Sequence, residues 1–368
     1  MPALSIAHTE ASMGWGGQEI RILTEARGFI DRGHRVVVYA APGSRIADEA
    51  AGYGVPCTVL PIGRRRPAGV LALARALRAA RHDVVNTHSS TDSWLAALAC
   101  RLVRDPPAIV RTRHISVPVP NDAATRWLYG KATARVVTTG EMLRARLVRD
   151  NGLDPSRVDS IPTGIDASRF GTIPRDEARR TLGLPADARI VGIVATLRSW
   201  KGHRHLLDAF ARLGDPRALL VIVGDGPQRE ALDRHVATLG LGSRVRFAGQ
   251  QCDVAPWLAA FDVFALPSTA NEGVPQALLQ AMFAGVPCVT TSAGAIPEIA
   301  RDADTALVVP AGDAAALAAA IARLLADPTL GSRLAAAARA FVAPRYGLAT
   351  MLDRMEAAFR SAVGERHG

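Results

Sequence analysis

The chain has 368 residues, of which 49% are hydrophobic, 21% charged and 5% aromatic. That length exceeds one ordinary core and suits two domains, and no apolar run reaches the roughly 18 residues that a membrane-spanning helix needs. The net charge of +10 is uneven, with 23 Lys/Arg against 15 Asp/Glu up to Arg169 and 21 against 19 after it, so the first half is expected to meet something anionic.

Only Lys131 and Lys201 are lysine, and the wealth of arginine and alanine also fits a GC-rich genome. Cys57, Cys100, Cys252 and Cys288 lie far apart with no CxxC, which predicts neither a disulfide framework nor a zinc site. The opening "MPALSIAHTE" has no basic stretch followed by a long apolar one. A cytoplasmic location is therefore expected.

In chain order, β-like runs alternate with helical patterns. The first series is "LSIAH", "RVVVYA", "DVVNTH", "AIVRTR" and "RVVTTG"; the pattern restarts with "RIVGIVAT", "ALLVIVG", "VRFAG", "VFALPS", "PCVTTS" and "ALVVP". Solidly apolar runs predict parallel strands buried on both faces, and the intervening helices predict βαβ units. Two such series imply two doubly wound α/β domains facing each other across a cleft. The Pro- and Gly-rich stretch "SIPTGIDASRFGTIPRDEARRTLGLP" reads as the linker. The expected division is 1–168 and 169–349, with a last helix of about 350–368 packing back on the first domain. "AAALAAAIARLLAD" reads as an ordinary covering helix.

Four segments carry candidate chemistry. "MGWGGQE" follows the first strand, and Gly14, Gly16 and Gly17 precede a helix with Glu19 in its first turn. Glycines there let backbone amides approach an anionic ligand. The strict GxGxxG spacing is missing, which argues against a dehydrogenase. "ATLRSWKGH" places Arg198 and Lys201 between a strand end and a helix, where two cations suit a diphosphate. "VGDGPQREAL" is a second strand–glycine–helix turn and reads best as a tight turn and cap. In "STANEGVPQALLQAMFAGVP", Pro275 fits the first helical position and Gly285 the end, so Glu272 lies just before a helix N-terminus and Gln280 lies on that helix. A ligand with two hydroxyl-bearing rings joined through phosphates would suit this layout. Helix amides would take the phosphates, and Glu272 and Gln280 would accept from or donate to hydroxyls.

The order "GWGGQEIRILTEARGFIDRGHRVVVYA", "DVVNTHSSTDSWLAALACR", "RVVTTGEMLRARLV", "SIPTGIDASRF", "VGDGPQREAL", "VFALPSTANEGVPQALLQAM" and "AGVPCVTTSAGAIPEI" resembles the retaining glycosyltransferases of family 4 over nearly the whole chain. The resemblance implies the GT-B fold, with two Rossmann-like domains. It implies a nucleotide-sugar donor, UDP- or GDP-linked, held mainly by the second domain, and an acceptor held mainly by the first. It implies transfer of a hexose or related sugar with retention, by front-face attack, to a hydroxyl of a glycan or lipid-linked acceptor, as in lipopolysaccharide, exopolysaccharide or glycolipid synthesis. It implies no cofactor, no metal and no nucleic-acid partner. Residue by residue, Gly16 and Gly17 would lie against the donor phosphate or reaction centre, and His114 would bond a sugar hydroxyl or the developing charge. Arg198 and Lys201 would neutralise the diphosphate, Glu272 would hold sugar hydroxyls, and Gly273, Val274 and Pro275 would present the helix amides. Gln280 would reach the ribose.

The sequence departs from the family in three places. Gln280 stands where glutamate is usual, Thr196 where an arginine usually precedes the lysine, and Thr163 where an asparagine is frequent. The aspartates of "DAD", Asp302 and Asp304, follow a helical stretch and so read poorly as a metal site. A basic patch of Arg64, Arg65, Arg66, Arg75 and Arg78 suits an anionic membrane surface, and equally a solvated helix. A sugar-nucleotide epimerase, or a non-catalytic nucleotide-sugar-binding protein on the same scaffold, stays open as an alternative.

Overall fold

A computed structural model describes every residue except Met1, Ser116, Asn271 and Gly368, and every described side chain except those of Arg366 and His367. The chain divides into two compact units, Met1–Gly164 with Ala349–Gly368, and Ile165–Leu348. The division falls at Gly164/Ile165, four residues before the expected 168/169.

The first unit is built on seven strands: β1 (Ser5–Glu10), β2 (Arg35–Ala40), β3 (Cys57–Val59), β4 (Val84–Thr87), β5 (Ala108–Arg113), β6 (Arg135–Thr138) and β7 (Val158–Ser160). Their order is β3-β2-β1-β4-β5-β6-β7. The second unit has six: β8 (Arg189–Val194), β9 (Ala218–Val223), β10 (Val245–Gly249), β11 (Val263–Leu266), β12 (Cys288–Thr291) and β13 (Leu307–Val309), in the order β10-β9-β8-β11-β12-β13. Every pairing between these strands is parallel. Each sheet is doubly wound and reverses direction once, between β1 and β4 and between β8 and β11. In such sheets ligands bind at the carboxyl ends of the strands beside the reversal.

The strands of the second unit are apolar, and Ile190, Leu220, Phe264 and Val289 lie fully buried in one core. The first unit departs from that pattern. Its strands are also buried, but their carboxyl halves hold His8, Thr9, Glu10, Asn86, Thr87, Arg111 and Thr112, all at most 4% exposed. Buried polar groups need partners: His8 meets His88, Thr9 meets Asp92, Thr87 meets Ser93 and Thr112 meets Asn86, whereas His8 Nε2 and Arg111 Nη1 have none among the described residues.

The helix Leu348–His367 closes on the first unit. Phe359 packs on Phe29 with ring centroids 5.4 Å apart, and Arg360 donates to the carbonyl of Pro2 at 2.9 Å. Beneath it, Arg21 and Glu25 form a wholly buried pair at 3.4 Å, and Arg21 donates onward to the Ile161 carbonyl at 2.8 Å. The helices Ala314–Ala326 and Pro328–Tyr346 meet at 102°, and their apolar residues Leu317, Ile321, Leu334 and Val342 are buried in the second core. Among the described residues no single helix is long and apolar enough to cross a membrane. All four cysteines are free thiols.

Candidate active site

In the second unit the site is built where β8 and β11 end. The chain leaves β8, runs through Arg198 and Lys201, and turns into the helix His203–Ala211. Gly202 makes the turn possible. It sits at φ 76°, and a Cβ there would come 2.0 Å from the Pro267 carbonyl oxygen, so only glycine lets the loop press onto the end of β11. Thr269 N donates to the Trp200 carbonyl at 2.8 Å and fastens the two loops together. On the other side, Gly294 (φ 58°) lets its loop approach the Glu272 carbonyl, where a Cβ would come within 2.2 Å.

This packing joins two residues that the sequence suggested for separate tasks. Lys201 Nζ donates to both carboxylate oxygens of Glu272, at 2.7 and 2.9 Å. Ser268 Oγ donates to Glu272 Oε1 at 2.6 Å. The Glu272 side chain is only 5% exposed, against 21% for Lys201. The acid is therefore a buried anion held by two donors, and the ammonium is its half-open lid. Burial, and then the Lys201 charge, push the His203 imidazole down to about 4, so it is neutral beside the pair.

The helix that follows Glu272 spans Gln276–Ala284, with Pro275 in extended conformation as its cap. Pro275 is thus one position outside the helix instead of its first residue. Its φ of −72° is fixed by the ring, but its ψ of 118° is not helical. Gly285, at φ 74°, ends the helix as expected. Val274 and Pro275 are buried and Gly273 is half-buried. Gln280 is half-buried. Arg198 is exposed, with its guanidinium 5.7 Å from the Trp200 ring. Among the described residues no ion pair joins it to Glu272, which is held by Lys201.

The first unit supplies a second cluster, at the ends of β1, β4 and β5. Gly16 caps the helix Gly17–Asp31 in extended conformation. A Cβ there would meet only Glu19, at 3.8 Å. The fold itself does not require glycine at 16, so open space remains above the helix N-terminus. Glu10 shapes the loop: it accepts from Ser12 N at 2.6 Å and from Gln18 Nε2 at 2.5 Å. Burial, and then the nearby Asp92 carboxyl, raise Glu10 to about 8. Asp92 accepts from Thr9 Oγ1 at 2.8 Å and from the His88 amide at 2.9 Å, and forms a capping box with Ser89.

His114 follows β5 and does not stand alone. His88 Nδ1 lies 3.0 Å from His114 Nε2, and His8 Nδ1 lies 3.0 Å from His88 Nε2. Burial comes first in lowering all three, His8 to about 3, with the Arg21 charge adding to it and His114 also acting on His88.

His8, His88 and Ser268 were not singled out in the sequence, nor was Gln276, whose Oε1 is buried and unpaired among the described residues. A usable signal existed for the histidines: "IAHTE", "NTHSS" and "RTRHIS" each place a histidine at the carboxyl end of a buried strand. Asp302 Oδ1 is spent on the Val308 amide at 2.9 Å. The patch residues Arg64, Arg65, Arg66, Arg75 and Arg78 are all exposed.

Known proteins share this pattern. Residues 188–327 match the family described as glycosyl transferases group 1, and residues 15–169 match Glycosyltransferase Family 4. A 2-deoxystreptamine N-acetyl-D-glucosaminyltransferase of Streptomyces fradiae is 30% identical, over 96% of this chain and 92% of its own. A D-inositol 3-phosphate glycosyltransferase of Mycobacterium bovis is 29% identical, over 95% of this chain and 76% of its own. The crystal structure of Anabaena HepE with UDP and glucose superposes with a TM-score of 0.87 at 22% identity, covering 97% of this chain and all of that one. The two parallel sheets, the matched segments and these relatives together make the chain a member of the group 1, family 4 glycosyltransferases, with the GT-B fold.

Proposed function

We propose that the protein moves a hexose or related sugar, with retention and without a metal, from a nucleoside diphosphate sugar to an acceptor hydroxyl. The observation that carries this reading is the Lys201–Glu272–Ser268 cluster in front of the helix Gln276–Ala284. Free helix amides and an ammonium beside them suit a diphosphate, and a carboxylate suits sugar hydroxyls. Without ligand, Glu272 neutralises Lys201. An arriving diphosphate competes for the ammonium and frees carboxylate lone pairs for hydroxyl donors. Arg198, exposed on the same loop as Lys201, adds a second cation, and Gln280 offers its amide to the ribose. His114 donates to a substrate hydroxyl, and Gly16 and Gly17 leave room for the reacting groups.

In the step itself the bond from the anomeric carbon to the leaving phosphate oxygen breaks. The acceptor oxygen bonds to the same face of that carbon, and its proton passes to the departing phosphate. Fixed positive charge on the leaving group then lowers the barrier.

The acceptor's character follows from a different feature. The helices Pro67–Ala80 and Ser90–Cys100 enclose a groove of about 690 Å³ lined by Val70, Leu71, Trp94, Leu98 and Leu102, with Arg65, Arg66 and Arg101 at its rim. Leu71, Leu98 and Leu102 are 43–49% exposed. An apolar floor inside a cationic rim supports an acceptor, or a membrane surface, that is both anionic and greasy. Arg64, Arg75 and Arg78 extend the charge. The curated relatives are named for small polyhydroxylated acceptors, 2-deoxystreptamine and inositol 3-phosphate, and such a cyclitol is the second reading.

A thermal-shift screen of UDP-, GDP- and ADP-sugars tests the donor. A true donor at a hundredfold excess over its Kd stabilises by about 2.7 kcal/mol, and Lys201→Met abolishes the shift. If no nucleotide sugar moves the melting point, or if Lys201→Met leaves the shift intact, the donor assignment fails. Liposome flotation tests the groove: binding to anionic vesicles that is lost in Leu71→Glu/Leu98→Glu supports it, and binding to neither vesicle type removes it.

A further inference from the structure

His8, His88 and His114 form one unbranched chain from the buried centre of the first unit to the end of β5. The two N···N separations are both 3.0 Å, and the ring centroids are 5.3 and 5.2 Å apart. Centroids so much farther apart than the nitrogens mean that the rings meet edge to edge, as hydrogen-bonded imidazoles do. The chain is closed at its inner end. His8 Nε2 is buried and has no partner among the described residues, and the His8 and Phe359 rings lie edge to face with centroids 6.5 Å apart.

The closed end decides the direction of the chain. Three neutral rings carry three protons, one each, and two bonds use two of them. If the protons sit on Nε2, the one on His8 is a buried, orphaned N–H. If they sit on Nδ1, only a lone pair is left there. Buried donors without partners are the rarer and costlier defect. We propose that His8 and His88 are positioning residues that hold His114 as an imidazole with its proton on Nδ1, a fixed hydrogen-bond donor toward substrate oxygen.

The direction runs His8 Nδ1–H to His88 Nε2, then His88 Nδ1–H to His114 Nε2. His114 Nε2 is thereby occupied as an acceptor, and its Nδ1–H is the only proton the chain offers outward. The same closed end rules out a relay. A proton entering at His114 would have nowhere to leave at His8, and burial together with the Arg21 charge keeps the rings from holding it. His114 is thus a donor to a hydroxyl, carbonyl or phosphate oxygen, and the base in the reaction is another group.

The inference rests on the glycosyltransferase reading only for its use. The tautomer is a property of the ligand-free protein and stands or falls separately. The test is long-range ¹H–¹⁵N NMR of the histidine rings in the full chain. The expected spectrum shows His8, His88 and His114 each with a pyrrole-like Nδ1 and a pyridine-like Nε2. A wild-type spectrum with the His114 proton on Nε2, or with a protonated ring at neutral pH, overturns the proposal and needs no variant.

Two variants test the role. An asparagine amide in place of the His88 ring can replace the Nδ1–H donor; leucine cannot. His88→Asn is expected to keep the His114 tautomer and most of kcat/KM. His88→Leu releases His114 and lowers kcat/KM about tenfold, the worth of one hydrogen bond to substrate. Equal losses in both variants, with the His114 spectrum unchanged, would make the chain merely structural and refute the positioning role.

Discussion

The Lys201–Glu272 pair can be separated into its structural and functional parts by a double-mutant cycle. Glu272 is 5% exposed and accepts from Lys201 twice and from Ser268 once. Lys201→Met leaves that carboxylate buried with one hydroxyl donor. Breaking a buried pair in this way costs about 3–5 kcal/mol. Glu272→Gln is milder: the amide still accepts from Ser268, and the ammonium, already 21% exposed, turns to solvent. About 1–2 kcal/mol is expected, the range for a lost hydrogen bond to a charged group. The double variant leaves no unpaired charge and is expected to be more stable than Lys201→Met alone, with a coupling of about 2 kcal/mol. Urea denaturation of the four proteins without ligand measures all three numbers. Turnover separates from stability, because every variant loses the ammonium or the carboxylate that the proposed reaction uses. Additive effects, or a Lys201→Met protein as stable as wild type, would refute the claim that Glu272 is a buried anion dependent on Lys201.

Arg21→Met strands Glu25, which is wholly buried and otherwise holds, among the described residues, only Asn86 Nδ2 at 3.4 Å; a loss of about 3–5 kcal/mol is expected in the same denaturation assay, and under about 1 kcal/mol would show the pair to be dispensable. Gln280→Glu is expected to keep turnover while lowering the donor KM; collapse of activity would place the glutamine in a network of its own. His203 has its folded pKa depressed to about 4 from 6.5 by burial and by Lys201. The unfolded chain therefore binds the extra proton first, so this contribution is complete above pH 6.5 and is lost as pH falls toward 4. The stability gap between wild type and His203→Phe should shrink by about 3 kcal/mol across that window, from the roughly 1.36 kcal/mol per pKa unit, and a gap independent of pH would refute it.

Most of the architecture was legible because buried parallel strands are long apolar runs. Eleven strands were read from the sequence. The two missed, β3 and β7, are three residues each, and "VDS" carries one apolar residue. Such edge strands are set by pairing with β2 and β6 and have no signal of their own. The site residues Lys201 and Glu272 were legible as types at strand ends, but their contact was not. They are 71 positions apart, and what brings them together is the absence of a Cβ at Gly202 and Gly294, a tertiary fact. The histidine chain was hidden for the same reason. Each histidine alone reads as an ordinary polar residue, and only the strand order β1-β4-β5 makes His8, His88 and His114 neighbours.

The central claim is sugar transfer with retention from a nucleotide sugar, using cations and helix amides in place of a metal. Its most direct measurement is ¹H NMR of a nucleotide α-linked sugar incubated with the protein and excess chelator, with the anomeric signal of the product read before mutarotation. An α-configured product or free sugar, formed by wild type and lost in Lys201→Met, is expected. A β-configured first product, or turnover that requires an added divalent cation, would contradict it.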